Sequence, residues 1–329
     1  MSIRIAGTGS YLPERILTNA DLEKMVETSD EWIRSRTGIA ERHIAAPEES
    51  ASSMAKIAAE RALEAAGIAA GELDLIIVAS TTPDYVFPNT GCCLQNLIGA
   101  KKAFCFDLSA ACSGLIYGLT VASSMLKTNR KYRYAIVCGS EKLSHIIDWS
   151  DRNTCVLFGD GAGAVLLERT DDGKDDDPLP AAALASDGRC AETLIIPAGG
   201  SRMPLSPELL AQHQNCIRMK GQETFKLAVN SMVSASRQIL EETGYRPSDL
   251  ALVIPHQANR RITQAVAARL EVDPSIVVDN IEYCANTSSA TIGIALDEVV
   301  RNGRLKRGDL LLLTAFGSGL TWGSMLLRY

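Results

Sequence analysis

Hydrophobic positions along the chain fall into two kinds of run. Short continuous apolar stretches bounded by turn residues read as strands buried on both faces. They are Leu73–Ser80, Phe104–Leu108, Tyr134–Cys138, Ala162–Leu167, Leu250–Pro255, Ser275–Asp279 and Leu310–Ala315. Longer stretches with apolar residues three and four apart predict amphipathic helices over Ala51–Ala66 and Phe225–Thr243. Ser113–Leu126 is apolar nearly all round, which predicts a helix enclosed by other elements. Strands alternating with helices predict an α/β architecture with helices covering sheets.

The pattern repeats at an offset of about 175 residues. Glu72-Leu-Asp-Leu-Ile-Ile-Val matches Ser248-Asp-Leu-Ala-Leu-Val-Ile, and each follows a helix ending in Gly67 or Gly244. A strand ending near Asp107 or Asp279 comes next in each half, then a turn of small residues and an apolar helix. Tyr134-Ala-Ile-Val-Cys-Gly-Ser matches Leu311-Leu-Leu-Thr-Ala-Phe-Gly. The expectation is a duplicated α/β half, residues 1–170 and 171–329, joined at the acidic loop Thr170–Pro180, a solvated segment without chemistry. Duplication of this kind brings equivalent strand ends together. Cys112, His256 and Asn286 sit at such ends and are expected to face one site.

Composition narrows the class. The 329 residues are 46% hydrophobic and 22% charged, ordinary for a globular protein. A net charge of −6 gives no bulk attraction to nucleic acid or anionic membrane. No run approaches a membrane span, and the N-terminus lacks a signal-peptide pattern, so a cytoplasmic protein is expected. The nine cysteines form no Cys-x-x-Cys pair and the four histidines show no zinc spacing, so no metal is expected and reduced thiols are.

Cys112 lies in Asp107-Leu-Ser-Ala-Ala-Cys-Ser-Gly, between a buried strand and an apolar helix. Free N–H groups at the helix start should stabilise a thiolate there and lower its pKa. The alternative is a packed, inert thiol. His256 ends a strand and precedes Gln257, Ala258, Asn259, Arg260 and Arg261, a polar cluster that packing alone does not require. Asn286 stands in Tyr283-Cys-Ala-Asn-Thr-Ser, where an Asn also serves as a cap or turn former. Gly159-Asp-Gly-Ala-Gly-Ala is not a dinucleotide loop, because a strand follows it where that motif needs a helix.

Together these segments resemble the β-ketoacyl-acyl-carrier-protein synthase III family of the thiolase superfamily. The resemblance runs from Ile3 to Arg328 through Thr28-Ser-Asp-Glu-Trp-Ile, Arg36-Thr-Gly-Ile, the Cys112 segment, Asp151-Arg, Phe158-Gly-Asp-Gly-Ala-Gly-Ala, Pro255-His-Gln-Ala-Asn, Asn286-Thr-Ser and Thr321-Trp-Gly. It implies a thiolase-like α-β-α-β-α layered fold and a Cys112, His256, Asn286 catalytic set. It also implies an oxyanion site at the N–H groups of Cys112 and Ser318. The implied reaction is an acyltransfer: decarboxylative condensation of an acyl-CoA, acetyl-CoA first, with malonyl-acyl-carrier protein, without a cofactor.

By the same resemblance Thr28, Trp32, Arg36, Arg152, Gly221 and Asn259 contact CoA, and Gln257–Arg261 with Lys226 dock the acidic carrier protein. Phe87 crosses a homodimer interface to bound the acyl pocket. Asn286 separates this chain from elongating relatives with a second His, and the Gly317-Ser-Gly loop from thiolases with a second Cys there. The chain departs from the family at Ala285, where Gly is usual, at Cys284, at Gly293, where Pro is frequent, and at Ser318, where Gly is usual. Paired Arg260 and Arg261 replace the usual single Arg. These departures bear on substrate range and leave a specialised acyltransferase or condensing enzyme as the alternative.

Overall fold

The computed structural model describes residues 2–170 and 180–329. The acidic loop and the join between the halves lie outside the described residues, apart from Thr170 and Pro180 at its ends.

Two sheets carry the fold. The first contains β1 (Ser2–Tyr11), β2 (Leu75–Ala79), β3 (Phe104–Leu108), β4 (Tyr134–Glu141) and β5 (Gly161–Thr170), in the order β1-β5-β4-β2-β3. The second contains β6 (Ala181–Ser186), β7 (Leu252–Pro255), β8 (Leu310–Gly317) and β9 (Thr321–Arg328), in the order β7-β8-β9-β6. In each sheet one parallel pair, β2 with β4 or β7 with β8, is flanked by an antiparallel strand. The sheets therefore share one topology, the strongest structural trace of the repeat.

The predicted strand Ser275–Asp279 is the exception. That segment is a 3-10 turn at Pro274–Ile276 followed by a single parallel bridge from Val277 to Val253. It occupies the place that β3 has in the first sheet. The cause is Pro255 at the end of β7, which has no N–H for the Val278 carbonyl; Gln257 Nε2 donates to that carbonyl instead at 3.0 Å, and its Oε1 accepts from the Asn280 N–H at 3.2 Å. A side chain has taken the partners that a strand would supply.

The helices form three layers around the sheets. α2 (Ala51–Ala66) and α3 (Thr90–Ile98) cover the outer face of the first sheet through Met54, Ala58, Leu94, Ile76 and Ile136. α5 (Gly221–Thr243) and α6 (Arg260–Leu270) cover the second through Met232, Ile239, Val266 and Leu312. Between the sheets lie α4 (Gly114–Thr128) and α7 (Thr291–Arg301), with Leu115, Leu119, Ile292 and Leu296 fully enclosed. This is the thiolase-like α-β-α-β-α order. It explains why the α4 segment is apolar nearly all round.

Close approach in the middle layer needs glycine. A β carbon on Gly163 of β5 would stand 2.6 Å from the Gly293 backbone of α7. The glycines after Phe158 therefore seat a helix against a strand.

Candidate functional site

The amino ends of α4 and α7 meet at the centre of the molecule, and α1 (Asp30–Thr37) borders the site from outside. Cys112 lies in a 3-10 turn, Ala111–Ser113, immediately before α4. The turn is stitched to β9: Thr321 Oγ1 donates to the Ala110 carbonyl at 2.9 Å and stands 2.8 Å from Ser113 Oγ. Asp107, at the end of β3, accepts from the Thr90 and Gly91 N–H groups at 2.7 and 2.8 Å, tying α3 to the strand that leads into the turn.

His256 follows β7, and its N–H donates to the Thr314 carbonyl of β8 at 2.8 Å. Asn286 is held by its backbone across the two halves. Its N–H donates to Leu157 O and its carbonyl accepts from Gly159 N–H, both at 3.0 Å. Asn286 Oδ1 accepts from the Ser288 N–H at 2.8 Å, so the Nδ2 end of the amide is the one left for the cavity. Ala111, Ala285 and Ser288 all have positive φ (45°, 55° and 50°), and strain of this kind gathers where a structure over-determines functional groups.

Cys112, His256 and Asn286 line one cavity of about 670 Å³. Cys112 also lines a second chamber of about 190 Å³, which contains Leu143, Ile146, Phe158, Leu194, Ile196 and Ile217. The sulfur thus sits where a polar-mouthed tunnel meets an apolar pocket. Apart from Phe158, these chamber residues escaped the sequence reading, which looked to Phe87 for the acyl pocket. The one available signal was Leu194-Ile-Ile-Pro, an apolar run with no place in either main sheet. Phe87 is 84% exposed beside Val86 at 96%, and lines neither cavity of the single chain.

The electrostatics correct one expectation. Cys112 was expected to be acidified by the helix start. Burial instead pushes its thiol up to about 12, the Ser288 hydroxyl pulls it down, and Glu141 pushes it up again. Burial holds the His256 imidazole down at about 3. At neutral pH the pair is a thiol and a neutral ring, and a proton acceptor must accompany attack by the sulfur.

At the cavity mouth the Arg36 and Arg152 guanidinium carbons each lie 4.8 Å from the Trp32 ring centroid. Arg152 also donates to the Glu27 carbonyl at 2.9 Å. Thr28 Oγ1 is buried without a hydrogen-bond partner. Gly221 begins α5 and lines the cavity. Asn259 lines it as well, with its amide already engaged. Oδ1 caps α6 through the Arg261 N–H at 2.9 Å, and Nδ2 donates to the Arg36 carbonyl at 3.0 Å.

The basic segment divides into buried and exposed parts. Gln257 is 1% exposed and fully bonded inside the fold, so the expectation that it docks a partner protein fails on burial. Arg260 is held by Asp279 at 2.7 Å and Glu282 at 3.3 Å, which removes it as a free docking charge. Ala258 lines the cavity. Arg261, over the Phe225 ring at 5.9 Å, enters no ion pair among the described residues, and neither does Lys226.

Ser318 follows the last residue of β8, and its hydroxyl donates to the Leu194 carbonyl. Thr291 and Ser288, both missed in the sequence, touch His256 and influence Cys112 respectively. Among the described residues no cluster suited to a metal ion occurs, and no helix is long and apolar enough to cross a membrane.

Comparison with known proteins agrees with this architecture. Residues 106–188 match the family model described as 3-oxoacyl-[acyl-carrier-protein] synthase III, and residues 240–329 match its C-terminal counterpart. A β-ketoacyl-[acyl-carrier-protein] synthase III of Caldanaerobacter subterraneus is 50% identical over 99% of this chain and 97% of its own. The crystal structure of 3-oxoacyl-[acyl-carrier-protein] synthase III from Aquifex aeolicus is 48% identical, covers 100% of both chains and superposes with a TM-score of 0.91. The corresponding Pseudomonas aeruginosa structure is 39% identical with the same TM-score, covering 100% of this chain and 98% of its own. With its layered fold and full-length matches, the chain belongs to the β-ketoacyl-[acyl-carrier-protein] synthase III family.

Proposed function

We propose that this protein starts fatty-acid synthesis by condensing an acyl-CoA with malonyl-acyl-carrier protein, releasing CO₂ and CoA. The observation that carries the reading is the place of Cys112, at the junction of the tunnel and the apolar chamber. A thioester threaded past Trp32 would present its carbonyl to the sulfur with the acyl chain in the chamber.

Residue types and environments support each step. As Cys112 Sγ bonds to the thioester carbonyl carbon, its proton passes to His256 Nε2. The carbon–sulfur bond to CoA then breaks, and the leaving sulfur takes the proton. The N–H groups of Cys112 and Ser318 are the proposed donors to the tetrahedral oxyanion. In the second step the bond to the malonyl carboxylate breaks, CO₂ leaves, and its electron pair forms an enolate. Asn286 Nδ2 and a His256 Nε2–H group would hold the enolate oxygen. The carbanion attacks the acyl carbonyl, Cys112 sulfur leaves as a thiolate, and a proton from solvent returns it to the resting thiol.

Around this centre the proposal assigns the CoA nucleotide to Trp32, Arg36, Arg152 and Thr28, and the pantetheine arm to Gly221 and the Asn259 edge of the tunnel. The carrier protein, acidic in this family, is assigned to Arg261 and Lys226. The exposed Tyr85-Val86-Phe87 patch fits burial against a second copy of the chain in a homodimer. Nine free thiols fit a reducing, cytoplasmic setting, and no cofactor is invoked.

The test is intact-protein mass after incubation with acetyl-CoA, beside Cys112→Ser, followed by addition of malonyl-carrier protein. The reading requires an acetyl adduct on the wild type alone, then CO₂ and a β-ketoacyl product. An acyl adduct that condenses with a different nucleophile would replace it with the specialised acyltransferase.

A further inference from the structure

Resting on that reading, the mechanism asks two opposite things of one nitrogen. His256 Nε2 must accept a proton while Cys112 attacks, and must carry a hydrogen when the enolate forms. What decides its state is the partner on the other side of the ring. His256 Nδ1 stands 2.7 Å from Thr291 Oγ1, both residues being 2% exposed. The same hydroxyl lies 3.1 Å from the Ser288 carbonyl.

We propose that Thr291 is a positioning residue whose hydroxyl serves both tautomers of His256, and so lets one histidine work first as acceptor and then as donor. With the hydroxyl turned to the Ser288 carbonyl, its oxygen accepts from Nδ1–H, and Nε2 presents a lone pair. With the hydroxyl turned to the ring, it donates to Nδ1, and Nε2 carries the hydrogen. Interconversion moves one proton from Nδ1 to Nε2 by exchange with solvent, one proton lost and one gained, with no change in the charge of the ring. A hydroxyl can do this because it both donates and accepts, whereas a carboxylate only accepts and locks the ring in the Nδ1–H form. The neutral state of the buried ring is what makes the tautomer, rather than the charge, the variable.

The test separates the two half-reactions. Thr291→Val keeps the shape and removes the hydroxyl, leaving the Nδ1–H form without an acceptor and Nε2–H as the favoured form. Acyl transfer from acetyl-CoA to Cys112 should then slow about tenfold or more, since it loses its general base. Decarboxylation of malonyl-carrier protein by enzyme already acylated should stay within about threefold, since that step uses the Nε2–H form. Thr291→Ser should restore loading. Equal slowing of both steps would mean that Thr291 only packs the site, and unchanged loading would likewise overturn the proposal. Nitrogen NMR of the His256 ring decides independently of activity and of whether the Val variant folds. The resting wild type should populate both tautomers, and a single locked tautomer, unaltered by a bound malonyl-thioester analogue, would refute it. Failure of the wild type to load any acyl-CoA would instead strike the functional reading and leave the tautomer measurement standing.

Discussion

Gly317 lies against the backbone of Cys112: a β carbon at Gly317 would come within 2.7 Å of the Cys112 nitrogen and 3.1 Å of Ala111 Cβ. The end of β8 and the nucleophile turn therefore share a contact that admits no side chain. Gly317→Ala has to displace the turn. Because displacements near 1 Å cost about 10²-fold in rate, loading of Cys112 should fall by at least about tenfold, with a smaller change in melting temperature. A time course of intact mass after mixing with acetyl-CoA reads it. Wild-type loading would show that the turn moves without consequence.

The buried Cys112 thiol, raised to about 12, stays protonated through neutral pH. Alkylation of Cys112 by iodoacetamide in the resting enzyme should accordingly climb about tenfold per pH unit from pH 7 to 10, as a thiolate reaction below its pKa does. A plateau already present at pH 7 would reveal a preformed thiolate and contradict the role given to His256.

His256 has its folded pKa depressed to about 3 from 6.5, so between those values the unfolded chain binds more protons than the folded one. Its contribution to stability is complete above pH 6.5 and is lost as pH falls toward 3, with a slope of about 1.4 kcal/mol per pH unit. His256→Gln should flatten that part of a urea-denaturation profile. An unchanged slope in the variant would assign the acid sensitivity to other groups.

Ala285 occupies φ 55°, ψ −164°, a backbone region in which a β carbon is strained. Ala285→Gly should stabilise the protein by about 1 kcal/mol, the relief outweighing the added freedom of the unfolded chain. Urea unfolding of the two proteins measures it. Destabilisation would mean that the Ala285 methyl, fully buried, contributes more by packing than its conformation costs.

Arg260 and Arg261 are neighbours with different fates. Arg261→Ala should raise KM for malonyl-carrier protein several-fold, leaving acyl-CoA loading and stability alone, since exposed charges act chiefly on encounter. Arg260→Ala breaks the contacts with Asp279 and Glu282 and should act first on stability. The reverse outcome, with Arg260 setting KM, would return Arg260 to the docking surface.

Arg152→Ala removes one of the two guanidinium groups over Trp32. It should raise KM for acyl-CoA about fivefold, the equivalent of one cation–π contact of ~1 kcal/mol. Rates at saturating acyl-CoA should not change, and a fall in kcat alone would place Arg152 outside CoA binding.

Much of this molecule can be read from its sequence, because periodicity and turn chemistry are local. Ala51–Ala66 and Phe104–Leu108 take the predicted bounds, although Phe104–Leu108, expected to be buried on both faces, is a half-buried edge strand. The repeat placed Cys112, His256 and Asn286 at equivalent strand ends, and the two sheets bring them to one cavity. Tertiary structure alone decided the rest. Ser275–Asp279 is apolar enough for a strand, yet Pro255 on the neighbouring β7 has no N–H to offer it, and the Gln257 side chain takes its backbone partners. Cys112 starts a helix, a local cue for acidity, while burial between the packed elements around it favours the neutral thiol. Arg260 and Arg261 are indistinguishable as letters, and only the positions of Asp279 and Glu282 separate a structural ion pair from an exposed charge. The apolar chamber is assembled from Leu143, Leu194 and Ile217, side chains far apart in sequence, so no window along the chain contains its volume. Burial, shared partners and cavity shape are properties of the whole fold, and the residue pattern encodes them only through it.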